Sequence, residues 1–421
     1  MTFVRRWFAV PVAALCAIVG GATAQSTQPN GTTPPTKPPS QPQTSPTPPS
    51  SATPPATNVA PNGPRPLVRF APMLYDVKLE VVMTGYPVGT NSAITLRDFA
   101  FVMPIVLNGP TSRVDPKSMQ PELWFDSRPD RAVSQRARVE ATKHLGMSWA
   151  IIPLDHFEGT AVRWSVKFRG QSWSVNANEN LLAQIAWPRE WPADVTDALK
   201  PQLGIESDAP VVTALVKQTL GEQARAMPPY YAAKELIRAT VTSFRAVNTA
   251  ATEKRGPGRI VGMRVNGARQ SLENRQGSTH DVVCACVAAL RAAGIPARPV
   301  IGITELSSRD ARRSNSDKIQ LISWGEFYLP NAGWVPFDTE DLREFAVRQL
   351  KTTDPWPGVA TIKDLNERMP IAWSFSPEGL AVPAFPALWS MQGSMGLDSN
   401  SLDTFVSYIV IPRGKGIDDP Q

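Results

Sequence analysis

The apolar run at residues 282–290 limits the possible folds more than any other part of the sequence. Ser278 and Thr279 precede it as suitable N-cap residues, and Asp281 falls in the first turn, where the helix dipole favours negative charge. Gly294 ends the segment, and the proline two residues later prevents its continuation. Because apolar residues face every direction around this helix, the sequence predicts a helix surrounded by protein.

Two strand-like segments follow the predicted helix. The first covers residues 319–330, the turn is Asn331-Ala332-Gly333, and the second covers residues 334–338. Asn and Gly between two such runs are typical of a tight antiparallel turn. The pattern therefore predicts a β-hairpin.

Residues 190–250 have helical periodicity. Asp208 and Pro210 mark the beginning of one helix and Gly221 marks its end. A second helix is predicted by apolar residues that recur every three or four positions, namely Tyr230, Ala233, Ile237, Val241 and Phe244. Such a stripe indicates core packing and not a cofactor-binding surface.

Residues 68–190 alternate between apolar and polar positions. One such run has Tyr75, Val77, Leu79, Val81 and Met83 on one face, with charged residues between them. Several runs of this kind, separated by Gly, Pro and Asn, predict an antiparallel β-sandwich. No catalytic constellation is present in it, so binding or spacing is its expected role. Further strands are expected near residues 373–375 and 405–411, either extending the main sheet or forming a small cap.

The first residues have the pattern of an export signal. Arg5 and Arg6 precede an apolar run, and Ala22-Thr23-Ala24 is a cleavage signal that predicts a mature start near residue 25. A general secretory signal is favoured over a twin-arginine signal. Residues 25–66 then contain 14 of the 42 prolines of the chain, mixed with Ser, Thr, Gln and Asn. This composition predicts a disordered, semi-stiff linker.

Composition excludes several classes of function. The net charge of +6 is not arranged as a basic stripe with interleaved aromatic residues, so no nucleic-acid partner is expected. Outside the signal, only Cys284 and Cys286 remain, which argues against a disulfide scaffold. The three histidines show no ligand spacing, so neither a metal nor another cofactor is expected. No membrane-spanning segment is expected in the mature chain.

The segment Arg-Ala-Ala-Gly-Ile-Pro-Ala-Arg at residues 291–298, together with Trp324, Glu326 and the Gly-Trp-Val-Pro-Phe-Asp run that ends at Asp338, carries a resemblance to a known family. With these blocks in the right order, residues 205–345 resemble the transglutaminase-like superfamily. The family has a papain-like fold, in which Gly-x-Cys opens the helix and a later strand carries His-x-Trp-x-Glu. The resemblance therefore implies an α+β fold, with the N-terminal β-sandwich followed by a papain-like core.

Two of the three catalytic positions implied by the resemblance hold other residues. The cysteine position falls on Thr279 and the histidine position on Ile322, whereas the aspartate is retained as Asp338. In such a triad a thiolate attacks a carbonyl and the histidine transfers the proton. Threonine offers no comparable thiolate and isoleucine accepts no proton, so the loss of both should remove essentially all of the triad's rate enhancement.

Several residues of this region have more than one possible role. Thr279 is favoured as a helix cap over a nucleophile that uses His280 or Asp338 as a base. Neighbouring helix residues such as Thr279 and His280 do not face each other. Cys284 is discounted as a displaced nucleophile because a thiolate within an apolar helix is costly. Asp338 is expected to stabilise a turn.

A remnant groove is predicted around these positions. Its candidate lining residues are His280, Asp281, Trp324, Glu326 and Trp334. The two tryptophans are favoured as core and hairpin residues, although a groove with aromatic walls would suit a peptide or a glycan.

The sequence thus predicts an exported pseudoenzyme, located in the periplasm, the cell envelope or outside the cell. The predicted segments are a signal peptide (1–24), a linker (25–66), a β-sandwich (67–190), a transglutaminase-like domain (191–345) and a C-terminal extension (346–421). The expected partner is a peptide, a protein or a cell-wall polymer. The alternatives are a divergent amidase, protease or acyltransferase, and a structural partner in a larger export-linked complex.

Overall fold

The computed structural model describes residues 64–85, 94–126, 128–129, 136–141, 145–221, 224–248, 252–254, 259–305, 319–345, 347–375, 382–385, 389–396 and 402–418. The predicted signal peptide and nearly all of the predicted linker lie outside these residues. Within these ranges, no helix combines the length and the apolar character needed to cross a membrane.

Strands outnumber helices in the described residues. The strands are β1 Leu67–Gly85, β2 Ile94–Ile105, β3 Ser112–Phe125, β4 Arg128–Pro129, β5 Arg138–Ala141, β6 Ser148–Gly159, β7 Ala161–Ala177, β8 Ala246–Asn248, β9 Thr252–Lys254, β10 Ile260–Met263, β11 Gln276–Ser278, β12 Ala297–Glu305, β13 Ile319–Leu329, β14 Gly333–Phe337, β15 Arg368–Ala372, β16 Val382–Phe385, β17 Trp389–Gly396 and β18 Leu402–Lys415. The α-helices are α1 Glu179–Ala183, α2 Pro210–Leu220, α3 Pro229–Ser243, α4 Ala268–Asn274, α5 Thr279–Ala292 and α6 Thr339–Glu344.

Two antiparallel sheets form the predicted β-sandwich, which is confirmed. One sheet has the strand order β4-β3-β7-β1-β18-β10-β9 and the other has the order β16-β17-β2-β6-β5. The alternating apolar residues of β1 are buried between them, from Tyr75 at 4% exposure to Met83 at 0%. Phe101 of β2 stacks on Trp164 of β7, with ring centroids 3.8 Å apart, so the two sheets pack through aromatic side chains.

The C-terminal strands complete both sheets of the sandwich. Strand β18 pairs antiparallel with β1 from Leu402 to Lys415, and it includes the strand expected at residues 405–411. Strand β17 pairs with β2. The strand expected near residues 373–375 lies slightly earlier, at β15, which pairs with β12 and not with the sandwich. Buried residues on both sides of the predicted boundaries at 190 and 345 belong to one continuous core cluster.

The α+β core is built on a four-stranded antiparallel sheet with the order β14-β13-β12-β15. The predicted hairpin is confirmed, since β13 pairs with β14 across the short turn. Helix α5 packs on β12 and β13 and is covered by α2, α3 and α4. Its residues from Thr279 to Arg291 are all buried, as the apolar run predicts. The sheet and the covering helices therefore hold the N-terminal end of α5 in one fixed position.

Candidate functional site

The N-terminal end of α5 is fixed by a capping box. Ser278 is the N-cap, and its side chain accepts a hydrogen bond from the backbone amide of Asp281. The fully buried Asp281 carboxylate accepts hydrogen bonds from the Ser278 amide (2.7 Å) and hydroxyl (3.0 Å). It also accepts from the backbone amides of Asn266 (2.6 Å) and Gly267 (3.0 Å) and from the Asn266 side chain (3.1 Å). One carboxylate thus joins the helix to the preceding loop.

The N-cap of α5 is Ser278, and Thr279 is the first residue of the helix. The expectation that Thr279 itself is the cap is therefore wrong. Thr279 is 9% exposed. In the part of the chain that the structure describes, no hydrogen bond joins its hydroxyl to His280 or Asp338. His280 Nδ1 contacts Ser323, and the Asp338 carboxylate contacts α6 and Arg368. Among these residues the hydroxyl thus lacks the hydrogen-bonded general base that a threonine nucleophile needs.

The His280 imidazole forms a hydrogen bond with the neighbouring strand β13. It is 1% exposed, and its Nδ1 atom lies 2.8 Å from the Ser323 hydroxyl on β13. The ring also contacts Phe375, with centroids 5.8 Å apart. Burial lowers the pKa of His280 to about 4, so the ring is neutral at neutral pH. Its Nε2 atom has no hydrogen-bond partner among the described residues.

Ile322 and Ser323 lie on opposite faces of β13. Ile322 is opposite Gly302 of β12, and alternation along a strand places it on the same face as Trp324 and Glu326. Ser323 occupies the face that contacts His280 of α5. Sequence reasoning missed Ser323, although a small polar residue between Ile322 and Trp324 in a buried strand signals an internal hydrogen bond.

The retained Asp338 is engaged by groups other than an imidazole. Its side chain caps α6 by accepting hydrogen bonds from the backbone amides of Glu340 (2.8 Å) and Asp341 (3.3 Å). Its other oxygen forms an ion pair with Arg368 of β15, which also lies 2.8 Å from Asp364. Burial and the Asp338 charge raise the pKa of Asp341 to about 6. Asp338 thus stabilises a turn, and no pattern in the sequence selects Arg368 as its partner.

Glu326 and the half-buried Trp334 belong to a cluster around a buried ion pair, and Trp324 lies on the same face of β13 as Glu326. Glu326 is 1% exposed, and its carboxylate lies 2.8 Å and 2.7 Å from two guanidinium nitrogens of Arg298. The guanidinium carbon lies 3.9 Å from the Trp334 ring centre and 3.5 Å from that of Trp373. Trp324 has no exposed surface. The arrangement suits a core more than a groove wall.

Trp324 is packed closely against the neighbouring strand. A Cβ atom at Gly302 would lie 2.6 Å from its ring, so only glycine at that position lets the indole lie against β12.

The structure contains an open cleft beside the capping box that the sequence did not predict. Its volume is about 700 Å³. It is lined by residues 246–248 and 276–278, which are the paired strands β8 and β11, and by Arg264, Asn266 and Asn274. The four amide side chains in this lining fall within residues 248–276, and their density just before the central helix is the signal that sequence reasoning could have used.

Neither cysteine offers a replacement nucleophile. Cys284 and Cys286 are fully buried and unbonded, and burial raises the pKa of both thiols. Among the described residues, no group of three or more His, Cys, Asp or Glu side chains is arranged to hold a metal ion.

Protonation of His280 is expected to destabilise the protein at acid pH. Because its pKa of about 4 in the folded state lies below the ordinary value of 6.5, the unfolded chain takes up a proton first. The associated stability is complete above pH 6.5 and is lost as the pH falls towards 4, by about 2 to 3 kcal/mol at pH 4.5. The measurement is the free energy of unfolding in urea at pH 7.5 and 4.5 for the wild type and for His280→Gln. The loss between the two pH values should be smaller in His280→Gln, because the carboxylates titrate equally in both proteins.

The matched control for this titration is the exposed His156. His156→Gln should retain the full wild-type loss of stability between the two pH values. If His280→Gln retains it as well, then the imidazole is not buried in its neutral form.

Comparison with known proteins gives the following matches. A model described as the transglutaminase-like superfamily matches residues 215–339. A solved structure from Cytophaga hutchinsonii, provisionally described as a cysteine protease, has a TM-score of 0.50 and 13% identity, and the match covers 83% of this chain and 94% of that chain. The periplasmic domain of TgpA from Pseudomonas aeruginosa has a TM-score of 0.30 and 16% identity, with 65% and 91% covered. None of the curated proteins compared with the chain matches it.

At these identities the structural likeness concerns the fold alone, and the second TM-score is too low to support an argument. The match at residues 215–339 covers the central helix and the hairpin. The predicted resemblance and the predicted papain-like α+β class are therefore confirmed.

Proposed function

We propose, from the transglutaminase-like domain that matches residues 215–339, that the protein is a catalytically inactive member of this fold. In this proposal it is exported and binds a peptide, a protein or a cell-wall polymer in the cell envelope. The N-terminal pattern of Arg5 and Arg6, an apolar run and Ala22-Thr23-Ala24 supports the export part of the proposal.

The observation that carries the proposal is the ion pair between Asp338 and Arg368. A catalytic aspartate orients an imidazole and stabilises its protonated form. Here the carboxylate is neutralised by a guanidinium and by two backbone amides of α6. The residue at the histidine position is Ile322, so no imidazole competes for the carboxylate. Asp338, at the end of the hairpin, thus joins β15 to α6.

The side chains at the mouth of α5 agree with this role. Thr279 has no thiol, no base among the described residues is hydrogen-bonded to its hydroxyl, and the His280 Nδ1 atom lies 2.8 Å from the Ser323 hydroxyl. An acyl-transfer enzyme that used Asp338 as the base for Thr279 would need Asp338 to leave Arg368. That movement would leave a buried polar group without its partner, which costs about 1–3 kcal/mol.

The test is an activity assay of the purified protein. We expect neither incorporation of a fluorescent amine into Gln-containing peptides nor hydrolysis of those peptides above background, and the same result for Thr279→Ala. Binding partners captured by the wild-type protein should also be captured by Thr279→Ala, since the hydroxyl contributes no catalysis.

The positive arm of the assay is a variant that combines Thr279→Cys, Ile322→His and Arg368→Met. It restores the thiol and the imidazole and releases Asp338, and any turnover it gains shows that the assay conditions suit the fold. Turnover by the wild-type protein that disappears in Thr279→Ala would establish the alternative, a divergent acyl-transfer enzyme.

A further inference from the structure

Four aromatic side chains form a continuous strip on the α+β core, which we call the aromatic strip. Trp187 and Trp191 follow α1, Tyr328 lies on β13 and Trp334 lies on β14. Successive ring centres are 6.5 Å, 6.3 Å and 5.6 Å apart, and each ring is nearly perpendicular to the next, at 71°, 76° and 73°. All four residues are half-buried, so each keeps part of its surface in contact with solvent.

The aromatic strip is held in place before any ligand arrives. The Trp187 and Trp191 indoles donate hydrogen bonds to the backbone carbonyls of Met227 (2.8 Å) and Gly294 (2.9 Å), and the other two strip residues are directly paired across the β13–β14 hairpin. Rings that are already ordered lose little conformational entropy on binding. Because the edge of each ring meets the face of the next, the surface is corrugated and not flat. Small rings that fit between ridges suit it better than flat sugar rings.

The two ends of the strip differ from its middle. The guanidinium carbon of Arg225 lies 5.5 Å from the Trp187 ring centre, and that of Arg298 lies 3.9 Å from the Trp334 ring centre. In the part of the chain that the structure describes, neither the Tyr328 hydroxyl nor the Trp334 indole nitrogen forms a hydrogen bond, and both atoms are accessible to solvent. The strip therefore presents two hydrogen-bond donors beside its ring surfaces.

A proline-rich segment of the same chain joins the fold within reach of the strip. The carbonyl of Pro66, just before β1, accepts a hydrogen bond from the backbone amide of Asn178 (2.8 Å), which is the N-cap of α1. Trp187 comes nine residues after Asn178, so the two lie at most about 32 Å apart. Residues 25–63 span up to about 120 Å in a polyproline II conformation. The segment is therefore long enough to return to the strip.

The composition of this segment fits a corrugated aromatic surface. Residues 34–49 contain eight prolines in sixteen positions, no glycine and no aromatic residue, and Lys37 is their only charge. Such a composition favours polyproline II, whose backbone carbonyls make no internal hydrogen bonds. Proline-rich segments in this conformation bind surfaces lined by aromatic side chains. The three distances between ring centres allow the strip a length of about 18 Å at most, which accommodates roughly six such residues.

We infer that a stretch of residues 34–49 docks on the aromatic strip of the same chain. Its pyrrolidine rings pack against the indole and phenol rings, and Tyr328 and Trp334 donate hydrogen bonds to its carbonyls. Because the segment is tethered, its effective concentration at the strip is of millimolar order, so weak contacts suffice. The inference goes beyond the proposed function, since it requires neither an inactive domain nor a separate partner.

The experiment uses the chain from residue 25 to residue 421 with Ser45→Cys, labelled with benzophenone maleimide. Cys284 and Cys286 are fully buried, so the label reacts at position 45. After irradiation and digestion, mass spectrometry locates the crosslinks, which we expect on peptides that contain the aromatic strip. Irradiation of a mixture of unlabelled chains and chains labelled with nitrogen-15 should give crosslinked pairs of a single isotope, because the contact forms within one chain.

Two kinds of variant test the contact from its two sides. Tyr328→Leu should lower the crosslink yield about threefold or more, because a ring contact and a hydrogen bond are lost. Trp124→Leu is the matched control, since Trp124 is a half-buried aromatic residue on β3 outside the strip, and it should leave the yield unchanged. Replacing the eight prolines of residues 34–49 with serine alters no residue of the strip and should lower the yield at least as much. Thermal denaturation checks that each variant is folded.

Four results would overturn the inference. Crosslinks spread over the surface, or an unchanged yield after proline replacement, would show that tethering alone brings the label to the fold. Crosslinked pairs of mixed isotope would place the segment of a second copy on the strip. Loss of the crosslink when chitin oligosaccharides are added would show that the strip takes a glycan. Wild-type turnover in the activity assay, in contrast, refutes the proposed inactivity without bearing on the strip.

Discussion

Replacing Glu326 with alanine is expected to lower the free energy of unfolding by about 3–5 kcal/mol, because the Arg298 guanidinium is then left charged and unpaired in the core. Both side chains are nearly inaccessible, at 1% and 3% exposure. Burial raises the pKa of Glu326 and lowers that of Arg298, and the pairing opposes both shifts. Guanidinium denaturation followed by tryptophan fluorescence measures the effect, with an unchanged m-value expected for a folded variant.

The matched control removes the charge on both sides. The double variant Arg298→Met and Glu326→Leu leaves no unpaired ion between Trp334 and Trp373, so it should be more stable than Glu326→Ala alone. A double variant that is as unstable as the single variant would indicate that the cluster contributes through the shape of the guanidinium between the two rings, and that the charge contributes little.

The parts of the fold that the sequence predicts well are those with local signals. Helix α5 is specified by the cap at Ser278, the apolar run and Gly294, all within a span of a few turns. The β13–β14 hairpin is specified by its turn and by the runs on either side. Strand β1 of the sandwich alternates strictly from Tyr75 to Met83, so its buried face can be read without knowledge of the rest of the chain.

The pairing of the C-terminal strands could not be derived in this way. Strand β18 pairs with β1, whose residues lie more than 300 positions earlier, as in the pair of Val77 with Val410. Alternation identifies β18 as a strand, but both available sheets would accept one. The choice depends on which edge the tertiary fold leaves open, and this is not a property of the segment itself.

The candidate site was predictable in position but not in its contacts. The motif spacing places Thr279, Ile322 and Asp338 in the domain, yet it gives no indication that Arg368 reaches Asp338 from β15, 30 residues away. It also gives no indication that Ser323, and not its neighbour, meets His280. Both contacts depend on strand register and on the placement of β15, which no local pattern encodes. The cleft depends on two three-residue strands, which are too short to show periodicity.

Replacing Asp281 with alanine is expected to destabilise the protein by at least about 3 kcal/mol. The carboxylate satisfies the backbone amides of Asn266, Gly267 and Ser278, and each buried donor left without a partner costs about 1–3 kcal/mol. The capping box is lost at the same time, which adds to the cost at the helix end. The measurement is the free energy of unfolding in urea, compared with Glu273→Ala, an exposed acidic residue on α4 that should change stability by no more than about 0.5 kcal/mol.

Asp281→Asn distinguishes the hydrogen-bonding role of this side chain from its charge. The amide keeps one acceptor oxygen but presents a donor to amides that also donate, so its cost should lie between those of wild type and Asp281→Ala. An Asp281→Ala protein of wild-type stability would contradict this role, because it would mean that the backbone amides of Asn266, Gly267 and Ser278 find other partners.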